Sequence, residues 1–245
     1  MATPAPARVY SYLQGGPDHF PVDREFGDRL KEAAPDIVRV VKANRAFLQR
    51  SVRWLAQQGV RQFIEIGAGL PVQENVHDIV QGVAPDCRVA YVDNDPIVLT
   101  HGRAYLDGDS TTVIAADLRA PGAILRSPEL RDLIDLDRPV AVCMFAVLHF
   151  VAAEDDPYGI VEIFRKAISP GSYLAISHVS PGAGVDEVAD MYTKEATEPG
   201  VPRTPEQIAR FFKSLEMVPP GIVPVNRWRG HGRDVWVHGG VGQKP

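Results

Sequence analysis

Cysteine is scarce. Cys87 and Cys143 are the two in 245 residues, far apart and without C-x-x-C spacing. A disulfide framework or a thiolate zinc site needs more. The pair reads as reduced, buried core thiols of a cytosolic protein, and a lone disulfide between them is the weaker alternative. Long apolar runs are lacking as well. The longest, from Val140 to Val151, is interrupted by His149 and falls short of the roughly 20 residues that cross a bilayer. The opening Met-Ala-Thr-Pro-Ala-Pro-Ala has neither a basic nor an apolar stretch, so no secretory signal is expected. There is no basic excess: 26 Lys and Arg stand against 31 Asp and Glu, a net charge of −5. That argues against nucleic acid or a membrane surface as a partner. The seven histidines form no H-x-x-x-H or H-E-x-x-H pair, and no metal site is expected. Without a G-x-S-x-G elbow, serine hydrolase chemistry has no support.

What is present is ordinary globular material, 45% hydrophobic and 23% charged. Residues 1–7 are expected as a disordered tail. Residues 8–60 read as an N-terminal helical cap or lid: a short helix or two around Gly15-Gly16-Pro17, then a long helix over 36–58. That helix places Ile37, Val40, Val41, Phe47, Leu48, Val52 and Leu55 on one face. Residues 61–245 read as the core. Strands are expected at 61–66, 88–92, 112–116, 140–145 and 173–177, with helices at 71–83, 96–106, 128–134 and 157–167 between them. The fourth strand is apolar at nearly every position, as in the middle of a parallel sheet. Strict strand–helix alternation predicts an α/β fold with helices on both faces of a mostly parallel sheet. Beyond it, helices are expected at 187–195 and from Thr204. Two short strands, 221–225 and 234–238, should pair antiparallel at the edge.

In an open parallel sheet, ligands bind beyond the carboxyl ends of the strands. Those ends read Glu65-Ile-Gly67-Ala68-Gly69, Asp93-Asn94-Asp95, Asp117-Leu118-Arg119 and Phe145-Ala146-Val-Leu-His149. The Gly67-x-Gly69 turn lets backbone approach a ligand. Asp93, 24 residues beyond Gly69, can accept hydrogen bonds from both ribose hydroxyls of an adenosine. A dinucleotide fingerprint places a third small residue where Val72 stands. Glu65 would repel a pyrophosphate but favour an ammonium or sulfonium. The rim therefore points to S-adenosylmethionine, with S-adenosylhomocysteine as product, rather than NAD. A nucleotide-dependent oxidoreductase remains the weaker alternative, and a non-catalytic sensor or partner-binding protein keeping the same fold is the other.

His149 is a candidate catalytic base, against a purely local structural role. Tyr10, Tyr12, Gly15 and Gly16 are candidates for a lid or substrate contact, since aromatic faces suit a sulfonium. His77 reads as structural, Trp228 and Trp236 as core or edge packing, and Arg119 as part of a solvated charged face. Residues 8–35 and the 180–203 loop are expected to shape a pocket for a small-molecule acceptor.

Several stretches go beyond a generic pattern: Arg8-Val-Tyr-Ser-Tyr-Leu-Gln-Gly-Gly16, Ala43-Asn-Arg-Ala-Phe-Leu48, Ile64-Glu-Ile-Gly-Ala-Gly-Leu-Pro71, Tyr91-Val-Asp-Asn-Asp-Pro96, Ala146-Val-Leu-His-Phe150 and Asp156-Pro-Tyr-Gly-Ile160. With them the chain, from about residue 8 onward, resembles the S-adenosyl methyltransferase family of actinomycete proteins, within the class I S-adenosylmethionine-dependent methyltransferases. One departure is that Pro17-Asp-His-Phe20 stands where the family tends to read Lys-x-Asn-Phe. The resemblance implies a Rossmann-like, seven-stranded sheet in the order 3-2-1-4-5-7-6, strand seven antiparallel, with an N-terminal helical extension. It also implies that Glu65 sits near the methionine amino group, with Gly67, Ala68 and Gly69 along the methionine and ribose. Asp93 would hold the ribose, Asn94 would flank the adenine, and Asp117 and Leu118 would meet its amine edge. Phe145, Ala146 and His149 would face the sulfonium.

Overall fold

The computed structural model describes residues 3–245. Five parallel-sheet strands carry the middle of the chain: β1 (Gln62–Ile66), β2 (Arg88–Asp93), β3 (Thr111–Ala115), β4 (Ala141–Phe145) and β5 (Tyr173–Val179). β4 is buried along its whole length, as its unbroken apolar sequence requires of a central strand. Three more strands, β6 (Glu216–Met217), β7 (Val223–Pro224) and β8 (Val237–Gln243), complete the sheet. Its order is β3-β2-β1-β4-β5-β8-β6, with β7 also paired to β8. β8 runs antiparallel to β5, with Ser177 opposite Gly239. The expected order therefore holds, with β8 as the antiparallel strand. The expected sixth strand is instead two short pieces, because the chain between them passes through Pro219-Pro220, which cannot donate to a ladder. The expected strand at 234–238 begins later and runs to Gln243.

Seven helices pack on this sheet: α4 (Val76–Gln81), α5 (Pro96–Tyr105), α6 (Pro121–Arg126), α7 (Pro128–Leu133), α8 (Pro157–Ala167), α10 (Pro205–Ala209) and, from the N-terminal part, α3 (Ile37–Gln57); α9 (Val185–Glu195) packs on the N-terminal helices instead. Prolines open α5 to α8 and α10, where a missing N–H is harmless. Side chains cap four of these: Asp95 accepts from Ile97, Ser127 from Leu130, Asp156 from Gly159 and Thr204 from Gln207. α4 starts later than the expected Pro71, because Asn75 takes the cap position and its N–H donates to Asp78 Oδ2. α6 was not expected from the sequence.

Strand residues alternate between two cores. Phe63, Tyr91, Cys143 and Ala175 face the side of α3 and α4, while Ile64, Ile66, Val142 and Met144 face the side of α6 to α8. Each large apolar side chain so buried contributes about 1.5–3 kcal/mol. Cys87 and Cys143 are both buried and unpaired. Trp228 is wholly buried against Phe47 and Trp54, a core residue as expected.

A third core joins the N-terminal helices α1 (Pro6–Gln14) and α2 (Pro21–Ala33) to α3 and α9, through Val9, Leu13, Phe26, Leu30, Val41 and Val188. The expected disordered tail over 1–7 is corrected here. Residues 1 and 2 lie outside the described residues, but Ala5 is buried, its N–H donates to Asp23 Oδ1, and Pro6 already begins α1. α1 ends in a glycine stop. Gly15, at φ 84°, and Gly16 donate back to Tyr12 and Ser11 carbonyls. No helix among the described residues is long and apolar enough to cross a membrane.

Candidate functional site

The site begins where β1 stops. Gly67 and Gly69 adopt φ of 73° and 67°, which carry the chain through a tight turn. The Gly67 and Ala68 N–H groups both donate to the Val92 carbonyl, at 2.8 and 3.1 Å. A Cβ on Gly67 would come within 2.5 Å of Val147, whereas one on Gly69 would meet nothing within 4 Å. Gly67 is thus demanded by packing against the loop after β4, and Gly69 faces open space.

Three carboxylates follow at the ends of β1, β2 and β3. Glu65 is buried, and burial pushes its carboxyl up to about 7; the Arg45 charge pulls down and Asp93 pushes up further, with no hydrogen bond to help. Asp93 accepts the Gly69 N–H on Oδ2 and the Asp95 N–H on Oδ1, each at 2.9 Å. Burial raises its carboxyl, and the Asp95 and Gly69 N–H groups oppose that. A carboxylate offers about four lone-pair sites, so both oxygens keep capacity for a ligand. Asp117 is tied up more fully. Burial raises its carboxyl, but the Arg119 N–H and guanidinium, with Asn94, hold it below the usual range. Asn94 donates to its Oδ2 at 3.2 Å, and Arg119 donates to both oxygens.

Arg119 is therefore not part of a solvated face. It also pairs with Asp155 at 3.2 Å and with Glu198, joining the end of β3 to the loops after β4 and α9. Pairs this exposed contribute little each, about 0–1 kcal/mol, but they place three loops together.

After β4 the backbone turns sharply at Ala146, a non-glycine residue at φ 51°, whose N–H is held by the Ser177 carbonyl and hydroxyl. Val147 follows against Gly67, and then His149, buried, with Nδ1 lacking a hydrogen-bond partner. Burial, then neighbouring His178 and Arg203, hold the His149 imidazole well below its ordinary pKa. Arg203 is itself buried without a carboxylate. It donates to the Leu148 and Val151 carbonyls and to His178 Nε2, each at 2.9 Å.

The cap closes over this rim. Arg8 donates to Asp23 Oδ2 at 2.8 Å and to the Thr3 carbonyl, and lies 3.7 Å from Asp95. Asp23 has no exposure and also accepts the Ala5 and Phe20 N–H groups. Tyr10 receives the Asn44 amide N–H at 2.9 Å.

These parts enclose one cavity of about 490 Å³. Glu65, Gly67, Ala68, Gly69, Asp93, Asn94, Asp117, Leu118, Phe145, Ala146 and His149 all line it, as does Tyr10. Tyr12, Gly15 and Gly16 do not. Tyr12 points to the outside, its hydroxyl donating to Asp28 at 2.6 Å beneath Lys31, and the two glycines serve the end of α1. His77 is structural, its N–H and ring bonded to the Tyr91 hydroxyl. Arg8, Tyr192 and Glu198 lie in the stretches expected to shape the pocket, 8–35 and 180–203, without being singled out; Asn44 was not expected there, and Trp236 was read as packing alone. Arg8 and Asn44 did lie in two of the stretches that carried the family resemblance, and that was the signal available for them. A cavity of this size and depth, mostly apolar with convergent polar groups, is what a small-molecule site requires.

The sheet order, the antiparallel β8 and the acidic rim after β1 to β3 define the class I methyltransferase fold. The family model described as S-adenosyl methyltransferase matches residues 1–245, and the chain belongs to that family. A solved DUF574 family protein from Streptomyces avermitilis is 41% identical, with TM-score 0.95 over 99% of this chain and 98% of its own. A Thermobifida fusca YX protein is 37% identical, with TM-score 0.94 over 100% of this chain and 96% of its own. Human N-acetylserotonin methyltransferase, solved in complex with SAM, shares the fold at 13% identity, with TM-score 0.54 over 96% of this chain and 62% of its own. No curated protein matches the chain.

Proposed function

We propose that the protein transfers a methyl group from S-adenosylmethionine to a small-molecule acceptor. The observation that carries this reading is the row of Glu65, Asp93 and Asp117 along consecutive strand ends, opening with the glycine turn into one cavity. The residues fit the cofactor. Gly69 faces open space, Asp93 keeps acceptor capacity for two ribose hydroxyls, and the Glu65 carboxylate suits the ammonium of a methionine moiety. Asn94, Asp117 and Leu118 would meet the adenine, while Phe145 and Ala146 would border the sulfonium. Bound there, S-adenosylmethionine supplies an electrophilic methyl carbon.

The chain's own part is alignment and exclusion of water. Arg8 and α1 cover the rim, and Arg119 gathers the loops beside it. His149 is held so far below neutrality that it takes up a proton poorly. We therefore do not assign it general-base catalysis.

Calorimetry tests the cofactor assignment. S-adenosylhomocysteine should bind with one site per chain in the micromolar range or tighter, and NAD should not compete. Saturable NAD binding, with no heat from S-adenosylhomocysteine, overturns the reading.

A further inference from the structure

Three arginines line the cavity. Arg8 and Arg119 are paired with carboxylates, and Arg45 is not. Arg45 lies on α3 one helical turn beyond Val41, and both face the cavity. Its guanidinium donates to the Glu74 carbonyl, and among the described residues it forms no ion pair. The Glu74 carboxylate is engaged elsewhere, by Gln49 at 2.8 Å and by Arg53 at 3.6 Å. A guanidinium has five N–H donors, so Arg45 keeps most of them for a ligand.

Glu65 is its counterpart. The register of β1 sets Glu65 beside Tyr91 on β2 and Cys143 on β4, which face α3, so the Glu65 side chain leaves the sheet toward the same helix. It lines the cavity, is 5% exposed and accepts no hydrogen bond among the described residues. The Arg45 charge reaches its carboxyl, so the two groups share one end of the cavity without forming an ion pair. Charges kept from water without a partner cost free energy. A lone cation would satisfy Glu65 only, and a lone anion Arg45 only. A ligand with ammonium and carboxylate on one carbon, an α-amino acid zwitterion, satisfies both.

Building on the cofactor reading, we propose that Arg45 binds the carboxylate of the methionine moiety while Glu65 binds its ammonium. Arg45 is then a specificity-determining residue. Its planar guanidinium can meet both carboxylate oxygens, which a lysine ammonium in its place could not do. The hydrogen bond to the Glu74 carbonyl holds the guanidinium at the cavity wall. Together the two side chains select nucleosides that carry an intact amino acid.

Three thioether nucleosides separate the two contacts by calorimetry at pH 8: S-adenosylhomocysteine, its decarboxylated analogue S-adenosyl-3-thiopropylamine, and 5′-methylthioadenosine, which carries neither charge. The parent should bind S-adenosylhomocysteine at least about tenfold more tightly than the decarboxylated analogue. Arg45→Met should weaken S-adenosylhomocysteine by at least about tenfold and leave the other two within about threefold of the parent, with Arg45→Lys in between. Glu65→Gln should instead weaken both amino-bearing ligands. Retained binding of 5′-methylthioadenosine reports that each variant has folded. Unchanged S-adenosylhomocysteine affinity in Arg45→Met overturns the proposal and leaves Arg45 for an anionic acceptor. Equal weakening of all three nucleosides overturns it too, because Arg45 then only supports the fold. Either result leaves the cofactor reading standing. Failure of S-adenosylhomocysteine to bind the parent overturns that reading and this inference together.

Discussion

The Asp93 carboxylate accepts the Gly69 N–H at 2.9 Å, so the residue expected to grip a ribose also fixes the turn beneath it. Its other oxygen holds the Asp95 N–H. Asp93→Ala therefore removes ribose acceptors and two backbone anchors in one step. Affinity for S-adenosylhomocysteine should fall by about 2–4 kcal/mol, or roughly 30- to 1,000-fold. Asp93→Asn keeps one acceptor oxygen and should lose about tenfold. Titration calorimetry on both variants checks this, and unchanged affinity in the alanine variant would show that the ribose lies elsewhere.

Glu65 gives a pH signature of defined sign. Its folded carboxyl sits at about 7 against an ordinary 4.5. Below the ordinary value both folded and unfolded chains hold the proton. Between the two values only the folded chain holds it, so stability falls as pH rises, and above about 7 the penalty is complete. It amounts to roughly 3 kcal/mol. Glu65→Gln should therefore match the parent near pH 4.5 and be the more stable protein at pH 8, by urea unfolding. Ligand binding runs the other way, because an ammonium favours the ionised carboxylate. S-adenosylhomocysteine should bind more tightly from pH 6 to 8 in the parent, and the Gln variant should show a flat profile. Parallel pH profiles for the two proteins would refute this account of Glu65.

Two glycines of one turn should respond differently to the same substitution. Gly67→Ala pays a left-handed backbone cost of about 1–2 kcal/mol and adds a methyl 2.5 Å from Val147, worth about 1–3 kcal/mol more. Gly69→Ala carries the backbone cost alone, since its Cβ meets no protein atom within 4 Å. Denaturant midpoints should place Gly67→Ala well below Gly69→Ala. Ligand titration should show Gly69→Ala weakened, because the new methyl enters the cavity. Equal midpoints would mean that Val147 moves aside freely.

Most of the sheet was legible because its strands are short apolar runs separated by proline- or glycine-marked turns. α8 begins at Pro157 and ends at Ala167, as its pattern predicts. The edge was harder. β6 and β7 have two residues each, too few to show a period, and only pairing with β8 makes them strands. The start of α4 was misplaced because a proline at a plausible first turn outweighed the Asn75 cap four residues on. At the site, carboxylates after strands could be found by position, since the fold puts every strand end on one rim. Arg8 and Tyr192 could be placed only as members of longer stretches, and Asn44 only through the family resemblance, because they reach the cavity through packing of α1, α3 and α9 that no local pattern encodes. Tyr12 illustrates the converse. It lies two residues from Tyr10, and on a helix that spacing turns it to the far side.

The cap should be held by one buried ion pair far more than by its surface pairs. Arg8 and Asp23 are almost completely enclosed, and their contact is 2.8 Å. Arg8→Met leaves the Asp23 carboxylate buried with two backbone N–H groups and no cation, a loss of about 3–5 kcal/mol. Arg29 and Glu195 also link the cap to α9, but both are more than two-fifths exposed, so Arg29→Met should cost less than about 1 kcal/mol. Since Arg8 also approaches Asp95 beside the glycine turn, loosening α1 opens the rim to water. Arg8→Met should then weaken S-adenosylhomocysteine binding at temperatures where the sheet is still folded, while Arg29→Met binds as the parent does. Hydrogen exchange should show faster exchange in α1 and α2 of the Arg8 variant with β1 and β4 still protected. Uniform exchange across the chain would mean that cap and sheet unfold as a single unit.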